Sequence, residues 1–291
     1  MKNFWLLVLV SAIWGSSFIF MRVLSPIYGG YFVAFSRMFI GGIFTLIYAK
    51  IVGVKFDFKN NFKHYLFIAF FNGALPLTCF SLAAVYIDAS LSAILNSTSS
   101  ILASIYGIYF LKEKLSIKQI FGLMLAFFSL LYITILKDAS QDVKVIGIIL
   151  ALIATNGYAI SSIYISLKAK NVDSRAFASV STFMGSMLLL PLAFSTVQII
   201  DSNYVFHFLF LGIMCTGVAY LIYFYLIKKI GVKALSTTFL QPIFGSIWAV
   251  LFLGEIFTLR MAATTLLIVL GVYVFLSDKI KGERDYGKIK N

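Results

Sequence analysis

Five consecutive polar residues, Asn-Ser-Thr-Ser-Ser at positions 96–100, interrupt an otherwise apolar run of the chain. In a helix, Asn96, Ser99, Ser100 and Ala103 follow the i, i+3, i+4, i+7 spacing and share one face. Amide and hydroxyl groups on such a face can bind the polar groups of a small molecule. They can also bond to a neighbouring helix, which is the other use of small polar residues in membranes. We favour a polar cavity, and helix packing stays the alternative.

A second polar face follows 142 residues later, where Thr238, Gln241, Pro242 and Gly245 repeat the same spacing. Neither face carries a charged side chain. Uncharged donors and acceptors suit a neutral or zwitterionic molecule better than a multivalent cation. We therefore predict that Asn96, Ser99, Ser100, Thr238 and Gln241 contact a small polar substrate.

Arg37 is the one basic residue that falls inside a long apolar run. A guanidinium cannot face lipid without a large cost in free energy. It could serve as the counter-ion of a carboxylate or phosphate on the substrate. It could equally extend to the membrane surface or bind carbonyl groups at a helix end, and this structural role is the one we favour from the sequence.

Other amide, aromatic and proline residues lie near the middle of apolar runs. The amide and aromatic candidates for substrate contact are Trp14, Asn72, Asn156, Tyr158, Tyr220 and Trp248. Packing in the core or against lipid is the alternative for each aromatic residue. Pro76 and Pro242 would each free a carbonyl group in the preceding turn, so we predict a hinge or kink at both positions.

The composition excludes several classes of protein. Hydrophobic residues make up 61% of the 291 residues and charged residues only 12%, against about 25% in soluble proteins. The net charge of +13 comes from basic residues between apolar runs, which indicates membrane orientation and not nucleic-acid binding. The sequence has no metal-ligand, phosphate-loop or hydrolase motif and no mid-run carboxylate. We expect neither catalytic residues, nor a metal, nor a cofactor.

Ten apolar runs are long enough to cross a bilayer as helices, which takes about 20 residues each. This pattern predicts an all-α integral membrane protein. The predicted spans are Phe4–Met21, Tyr31–Ala49, Tyr65–Tyr86, Ser90–Leu111, Ile117–Leu136, Val145–Leu167, Ala176–Phe194, Phe206–Ile227, Ala234–Leu253 and Met261–Leu276.

The basic residues predict the orientation of these spans. With both termini in the cytoplasm, 19 of the 24 Lys and Arg residues fall on the cytoplasmic side and four on the other. Such a bias is the usual signature of multi-pass proteins. We predict a cytoplasmic (inner) membrane protein with both termini in the cytoplasm.

An internal repeat is indicated by residues that match at one offset. Glu113 and Glu255 lie 142 residues apart, and at that offset Gly15 matches Gly157. Five spans per half would place the halves in opposite orientations, as in many secondary transporters. We predict repeats at 1–140 and 141–278, followed by a basic cytoplasmic tail at 279–291.

The chain resembles the EamA branch of the drug/metabolite transporter superfamily over nearly its whole length. The residues that carry the resemblance are Trp14-Gly15-Ser16-Ser17-Phe18, Pro26, Arg37, Glu113, Gly122, Gln241-Pro242 and Glu255. The resemblance implies alternating access, with the first, third, fourth, sixth, eighth and ninth helices around a central cavity.

From the residues and the resemblance together we expect a carrier of a small polar metabolite. An amino acid or similar zwitterion is the preferred substrate, and export is the preferred direction. Uptake or exchange of an anionic metabolite or a nucleotide-like cofactor is the first alternative. A membrane scaffold without transport activity and an intramembrane enzyme are alternatives of other classes. The expected partners are the substrate and the lipid bilayer; no oligomeric state follows from these patterns.

Overall fold

The computed structural model describes residues 2–111, 116–135, 145–168, 172–196, 198–230, 234, 237–256 and 258–277. These residues form ten α-helical segments and no β-strand, so the predicted all-α class is confirmed. The segments are α1 (Lys2–Tyr28), α2 (Gly30–Ile51), α3 (Phe58–Ala83), α4 (Ala89–Phe110), α5 (Ile117–Ile135), α6 (Val145–Lys168), α7 (Ser174–Phe194), α8 (Ser202–Ile230), α9 (Thr237–Leu253) and α10 (Leu259–Ser277).

Seven of the described helices are long and apolar enough to cross a membrane, namely α1–α4 and α6–α8. Shorter apolar stretches lie in α5, α9 and α10. The protein is therefore a multi-pass membrane protein, whereas ten spans in two inverted repeats stay a prediction. Glu113, Leu136 and the tail at 279–291 lie outside the described residues.

Several helices begin or end further out than the apolar runs predict. Helix α1 continues past Met21 to Tyr28, and α3 starts at Phe58 rather than Tyr65. Hydropathy detects only the part of a helix that must face lipid. The added turns contain charged and polar residues, among them Arg22, Lys59 and Asn60, so hydropathy does not mark where these helices begin or end.

Aspartate side chains set the start of three helices. Asp57, Asp173 and Asp201 accept hydrogen bonds from the backbone N–H groups of Asn60, Arg175 and Asn203. Such caps satisfy N–H groups that have no partner within the helix. The Arg175 side chain also donates to Asp173 at 2.8 Å and holds the pKa of that carboxyl below its usual range.

The helices pack into one body whose core joins residues from both sides of position 140. Phe18, Phe80, Phe208 and Ala249 belong to the same buried cluster. Helix α1 packs along α9, α2 packs against α7 and α8, and α5 packs mainly against α10. The central helices thereby surround the cavity described below.

Glycines permit the closest of these contacts. A Cβ atom added to Gly15 would lie 2.8 Å from Cβ of Phe244, and one on Gly245 would lie 2.5 Å from Cβ of Ala93. Small residues let helix backbones approach closely in membranes, where packing drives association. Gly15 and Gly245 therefore hold α1, α4 and α9 together beside the cavity.

We expect a Gly245→Val variant to be less stable by about 1–3 kcal/mol or more, because the added atoms overpack this contact. The measurement is the melting temperature of the purified protein in detergent. Val250→Leu, on the exposed side of the same helix, is the control and should melt like the wild type. Equal melting of Gly245→Val and wild type would contradict the packing role.

Candidate functional site

A narrow cavity lies where seven helices meet. Its volume of about 40 Å³ holds roughly three water molecules at about 10–15 Å³ each. The lining comes from α1, α3, α4, α6, α8 and α9, the six helices that the resemblance implies, and from Arg37 of α2. The lining residues are Trp14, Ser17, Phe18, Met21, Arg37, Asn72, Leu77, Phe80, Asn96, Tyr158, Tyr220, Tyr223, Thr238 and Gln241.

Arg37 supplies the positive charge of the cavity. Its side chain is 2% exposed, so it does not extend to the membrane surface. Nε donates to Thr216 Oγ1 at 3.1 Å, and Nη1 contacts Met21 Sδ at 3.2 Å. The ion pairs of the described residues are Arg22–Asp88 and Arg175–Asp173, and neither involves Arg37. A buried charge without an opposite charge is costly, which makes a bound anion favourable here.

An amide pair forms the neutral polar part of the cavity. The side-chain NH₂ of Asn96 donates to Gln241 Oε1 across the contact between α4 and α9. One turn further along, the hydroxyls of Ser100 and Thr238 lie 2.6 Å apart. Within the described residues, nothing donates to Asn96 Oδ1, although this atom is buried. A buried acceptor without a donor costs about 1–3 kcal/mol.

Aromatic rings form much of the remaining wall. The Trp14 ring meets Tyr220 and Tyr223 edge to face, with centroids 6.0 and 4.9 Å away. Trp14 Nε1 donates to the carbonyl of Cys215 at 3.0 Å, and the Tyr220 hydroxyl donates to the carbonyl of Asn72 at 2.8 Å. These bonds fix the rings, so their faces and edges form a rigid wall of the cavity.

Both carbonyl acceptors lie in π-helical turns within α3 and α8. The wide turns span Ala69–Ala74 and Ile213–Val218, and the second contains Thr216, the partner of Arg37. A π turn shifts the backbone hydrogen bonds by one residue, and such turns are frequent at functional sites. Here they present backbone oxygen atoms and the Thr216 hydroxyl toward the cavity side chains.

The structure brings together eight of the residues that the sequence analysis selected: Trp14, Arg37, Asn72, Asn96, Tyr158, Tyr220, Thr238 and Gln241. The cavity lining also contains residues that the sequence analysis did not select, among them Ser17, Met21 and Tyr223. Their helical spacing beside Trp14 and Tyr220 is the signal that could have found them. Nothing in the sequence marks Thr216, since its contact with Arg37 depends on the π turn.

Four selected residues lie outside the cavity lining. Ser99 Oγ donates to the Asn96 carbonyl, and Ser100 bonds to Thr238 between helices. Asn156 Oδ1 accepts the hydroxyl of Tyr106 at 2.6 Å. Trp248 Nε1 donates to the Ala12 carbonyl at 3.2 Å and thereby links α9 to α1. In this conformation, these side chains support the helices that carry the cavity residues.

The two prolines predicted as hinges lie within helices beside the cavity. Pro76 follows the π turn of α3, and a Cβ added to Gly157 of α6 would meet its ring at 2.9 Å. Pro242 lies inside α9, directly after Gln241. Each proline removes one backbone N–H from its helix next to a cavity residue.

Comparison with known proteins decides the family. The sequence model of the EamA-like transporter family matches residues 1–135 and 145–277. The chain belongs to the EamA-like transporter family. A solved crystal structure that covers 94% of this chain and 96% of its own shares the fold, with a TM-score of 0.67 at 14% identity.

Curated relatives of this EamA-like chain carry the name transporter. The transporter YoaV of Bacillus subtilis is 22% identical over 275 residues, which cover 92% of this chain and 94% of the relative. A transporter of Archaeoglobus fulgidus is 26% identical over 287 residues, covering 96% and 100%. Both are named uncharacterized transporters. The protein is therefore a membrane transporter.

Glu255 follows α9 and connects the end of this helix to the start of α4. Glu255 accepts hydrogen bonds from the backbone N–H of Ala89 and Ser90, at 2.9 and 3.1 Å, and from the Ser90 hydroxyl at 2.5 Å. Nearby, Arg22 bonds to the Ala84 carbonyl at 2.8 Å and to Asp88 at 3.4 Å. These contacts join α1 to the connector between α3 and α4, and the end of α9 to the start of α4.

Proposed function

We propose that this protein carries a small zwitterionic metabolite, an amino acid or a molecule of similar charge, across the cytoplasmic membrane by alternating access. Export is the direction that the family resemblance implies. The observation that carries the proposal is the buried guanidinium of Arg37, which has no carboxylate partner among the described residues and lines the cavity. A substrate carboxylate would supply the missing charge.

The remaining lining supports a zwitterion over other charge types. The polar groups around Arg37 are amides and hydroxyls, and the described lining has no Asp or Glu to attract a multivalent cation. An ammonium group can instead lie against amide oxygen atoms and aromatic faces. The carboxylate of a zwitterionic substrate would compensate the charge of Arg37, and its ammonium group would lie against the neutral amides and rings.

The membrane arrangement that we propose has ten spans in two inverted repeats, at 1–140 and 141–278, with both termini in the cytoplasm. The 142-residue offset and the separate family matches over 1–135 and 145–277 support the duplication. The excess of basic residues in alternate connectors supports the orientation. In this arrangement α4 begins on the outer side, and its contact with Glu255 closes the outer end.

Alternating access then requires the central helices to separate at one end at a time. The cavity has room for roughly three water molecules, so in our proposal it widens when a substrate enters. The π turns of α3 and α8 and the prolines at 76 and 242 lie where such bending would occur. A rocking of one half against the other around a fixed site is the usual mechanism of inverted-repeat carriers.

A second candidate is uptake or exchange of an anionic metabolite or a nucleotide-like cofactor. Arg37 favours it as well, because a guanidinium binds phosphate and carboxylate equally readily. This candidate differs in its charge balance, since a multivalent anion would place a second negative charge beside neutral amides. Ligand charge therefore separates the two proposals.

A thermal-shift screen of the purified full-length protein tests the proposal. The panel contains amino acids, dicarboxylates, nucleotides and choline-like amines. A ligand bound only by the folded state stabilises it by about 2.7 kcal/mol at 100 times its dissociation constant. We expect saturable shifts with amino acids, followed by counterflow of the same compounds in proteoliposomes. Shifts with dicarboxylates or nucleotides alone would favour the second candidate, and shifts with amines alone would overturn both.

A further inference from the structure

The side-chain oxygen of Asn96 is a hydrogen-bond acceptor that no described residue uses. Asn96 is 4% exposed and lines the cavity, and its NH₂ group is already bound to Gln241. Buried polar atoms in folded proteins almost always have a partner. Among the buried side-chain atoms of the described residues that lack one, Asn96 Oδ1 alone belongs to a residue that lines this cavity, which points to a ligand atom.

Arg37 and this acceptor offer opposite kinds of hydrogen-bonding group to a molecule in the same cavity. Both residues line the same cavity, Arg37 from α2 and Asn96 from α4. Arg37 presents only donors, whereas Asn96 Oδ1 can only accept. The cavity therefore offers hydrogen-bond donors at Arg37 and an acceptor at Asn96.

The chemistry of the acceptor selects the group that it binds. A second carboxylate would meet a carbonyl oxygen with no proton between them, which is repulsive. An ammonium group has three N–H donors and gains an acceptor that is otherwise unsatisfied. The rings of Trp14 and Tyr223, which pair edge to face at 4.9 Å beside the same cavity, add faces that attract a cation.

We propose that Asn96 Oδ1 binds the ammonium group of a substrate whose carboxylate is held by Arg37, and that this contact makes the protein prefer amino acids to carboxylic acids without an amine. The inference rests on the proposed function and deepens it. Arg37 binds either kind of carboxylate and so cannot distinguish them. Asn96 is therefore the residue that distinguishes an amino acid from the corresponding acid without an amine.

Matched pairs of ligands test the inference on the purified full-length protein. The probes are L-alanine and propionate, L-leucine and 4-methylpentanoate, and L-phenylalanine and 3-phenylpropionate, each titrated in thermal-shift and calorimetric experiments. The members of a pair differ only in the amine. A site built to bind an N–H group rejects analogues that lack it. We expect the wild type to bind the amino acid at least about tenfold more tightly in the best-binding pair.

Two variants of Asn96 and one control variant test whether Asn96 causes the preference for amino acids. Asn96→Leu keeps the size but removes the acceptor, and we expect the preference to fall to nearly one. Asn96→Asp keeps the acceptor and adds a negative charge, so we expect it to retain or raise the preference for the amino acid. This second variant keeps the test valid if Asn96→Leu does not fold. Thr78→Val removes another buried hydroxyl without a described partner, outside the cavity lining, and should leave the preference unchanged.

The outcomes separate this inference from the proposed function. Equal binding of both members of each pair by the wild type, or an unchanged preference in Asn96→Leu, overturns the ammonium site and leaves the carboxylate carrier intact. Failure of every pair to stabilise the wild type overturns the proposed function together with this inference. A preference that disappears only in Asn96→Leu supports both.

Discussion

Replacing Arg37 with methionine is expected to weaken binding of carboxylate ligands about 100-fold without unfolding the protein. A charge-assisted hydrogen bond from a guanidinium to a carboxylate contributes roughly 1.5–3 kcal/mol, and a loss of about 2.8 kcal/mol corresponds to 100-fold. The substitution leaves no described carboxylate unpaired, because Arg37 bonds only to Thr216 and Met21. Removing an unpaired buried charge should therefore keep or raise the stability of the ligand-free protein.

The measurement for Arg37→Met is the dissociation constant of the best ligand from the screen, together with the melting temperature without ligand. Arg37→Lys is the matched control, because it keeps the charge and loses the planar fork. We expect it to bind with an affinity between those of Arg37→Met and the wild type. A strong loss of stability in Arg37→Met with unchanged binding would show that Arg37 holds the helices and not the substrate.

The helical spacing of polar residues predicts the face of a helix but not what covers it. Asn96, Ser99 and Ser100 share a face of α4, and only Asn96 lines the cavity. The hydroxyl of Ser99 turns back to its own helix, and Ser100 meets Thr238 of α9. Which residue on a polar face remains open depends on how closely α9 approaches, and this distance follows from packing at Gly245 and Ala93.

The environment of Arg37 shows a second limit of sequence reasoning. Hydropathy places this residue within a span, and from there it could extend to the surface or turn inward. The inward position depends on Thr216, which accepts from the Arg37 guanidinium. Thr216 lies in a π turn, and its hydroxyl donates to the Leu211 carbonyl five residues back. A regular 3.6-residue periodicity cannot predict that shift, so the sequence does not identify Thr216 as the partner of Arg37.

In the proposed orientation, removal of the Glu255 carboxylate is expected to open the outer end of the cavity. Glu255 lies after α9 and accepts three hydrogen bonds from the first residues of α4. Helix caps of this kind are worth about 0.5–2 kcal/mol, and the charge also favours the positive end of the α4 dipole. Glu255→Ala should therefore raise the outward-open population by roughly 2- to 30-fold, if the contact exists only in the closed conformation.

Labelling of a cavity cysteine measures this population. Ser17 lines the cavity and is buried. We introduce Ser17→Cys into a protein that also carries Cys79→Ala and Cys215→Ser, which removes the two native cysteines. The rate at which a membrane-impermeant maleimide added outside labels this cysteine then measures how often the cavity opens to the outside. We expect Glu255→Ala to raise the labelling rate severalfold. Asp201→Ala is the control, because Asp201 caps α8 by bonding to Asn203 of the same helix. Its loss should leave labelling unchanged.

The proposed internal repeat extends this expectation to the opposite end of the transporter. At the offset of 142 residues, Glu113 corresponds to Glu255, and Ala89 corresponds to Gly231 before α9. If inverted halves exchange conformations, the outward-open state forms the equivalent contact between Glu113 and the start of α9, while the Glu255 contact breaks. Glu113→Ala should then lower outside labelling of Ser17→Cys, opposite in sign to Glu255→Ala. Equal signs for the two variants would mean that the glutamates stabilise the fold as a whole and do not alternate.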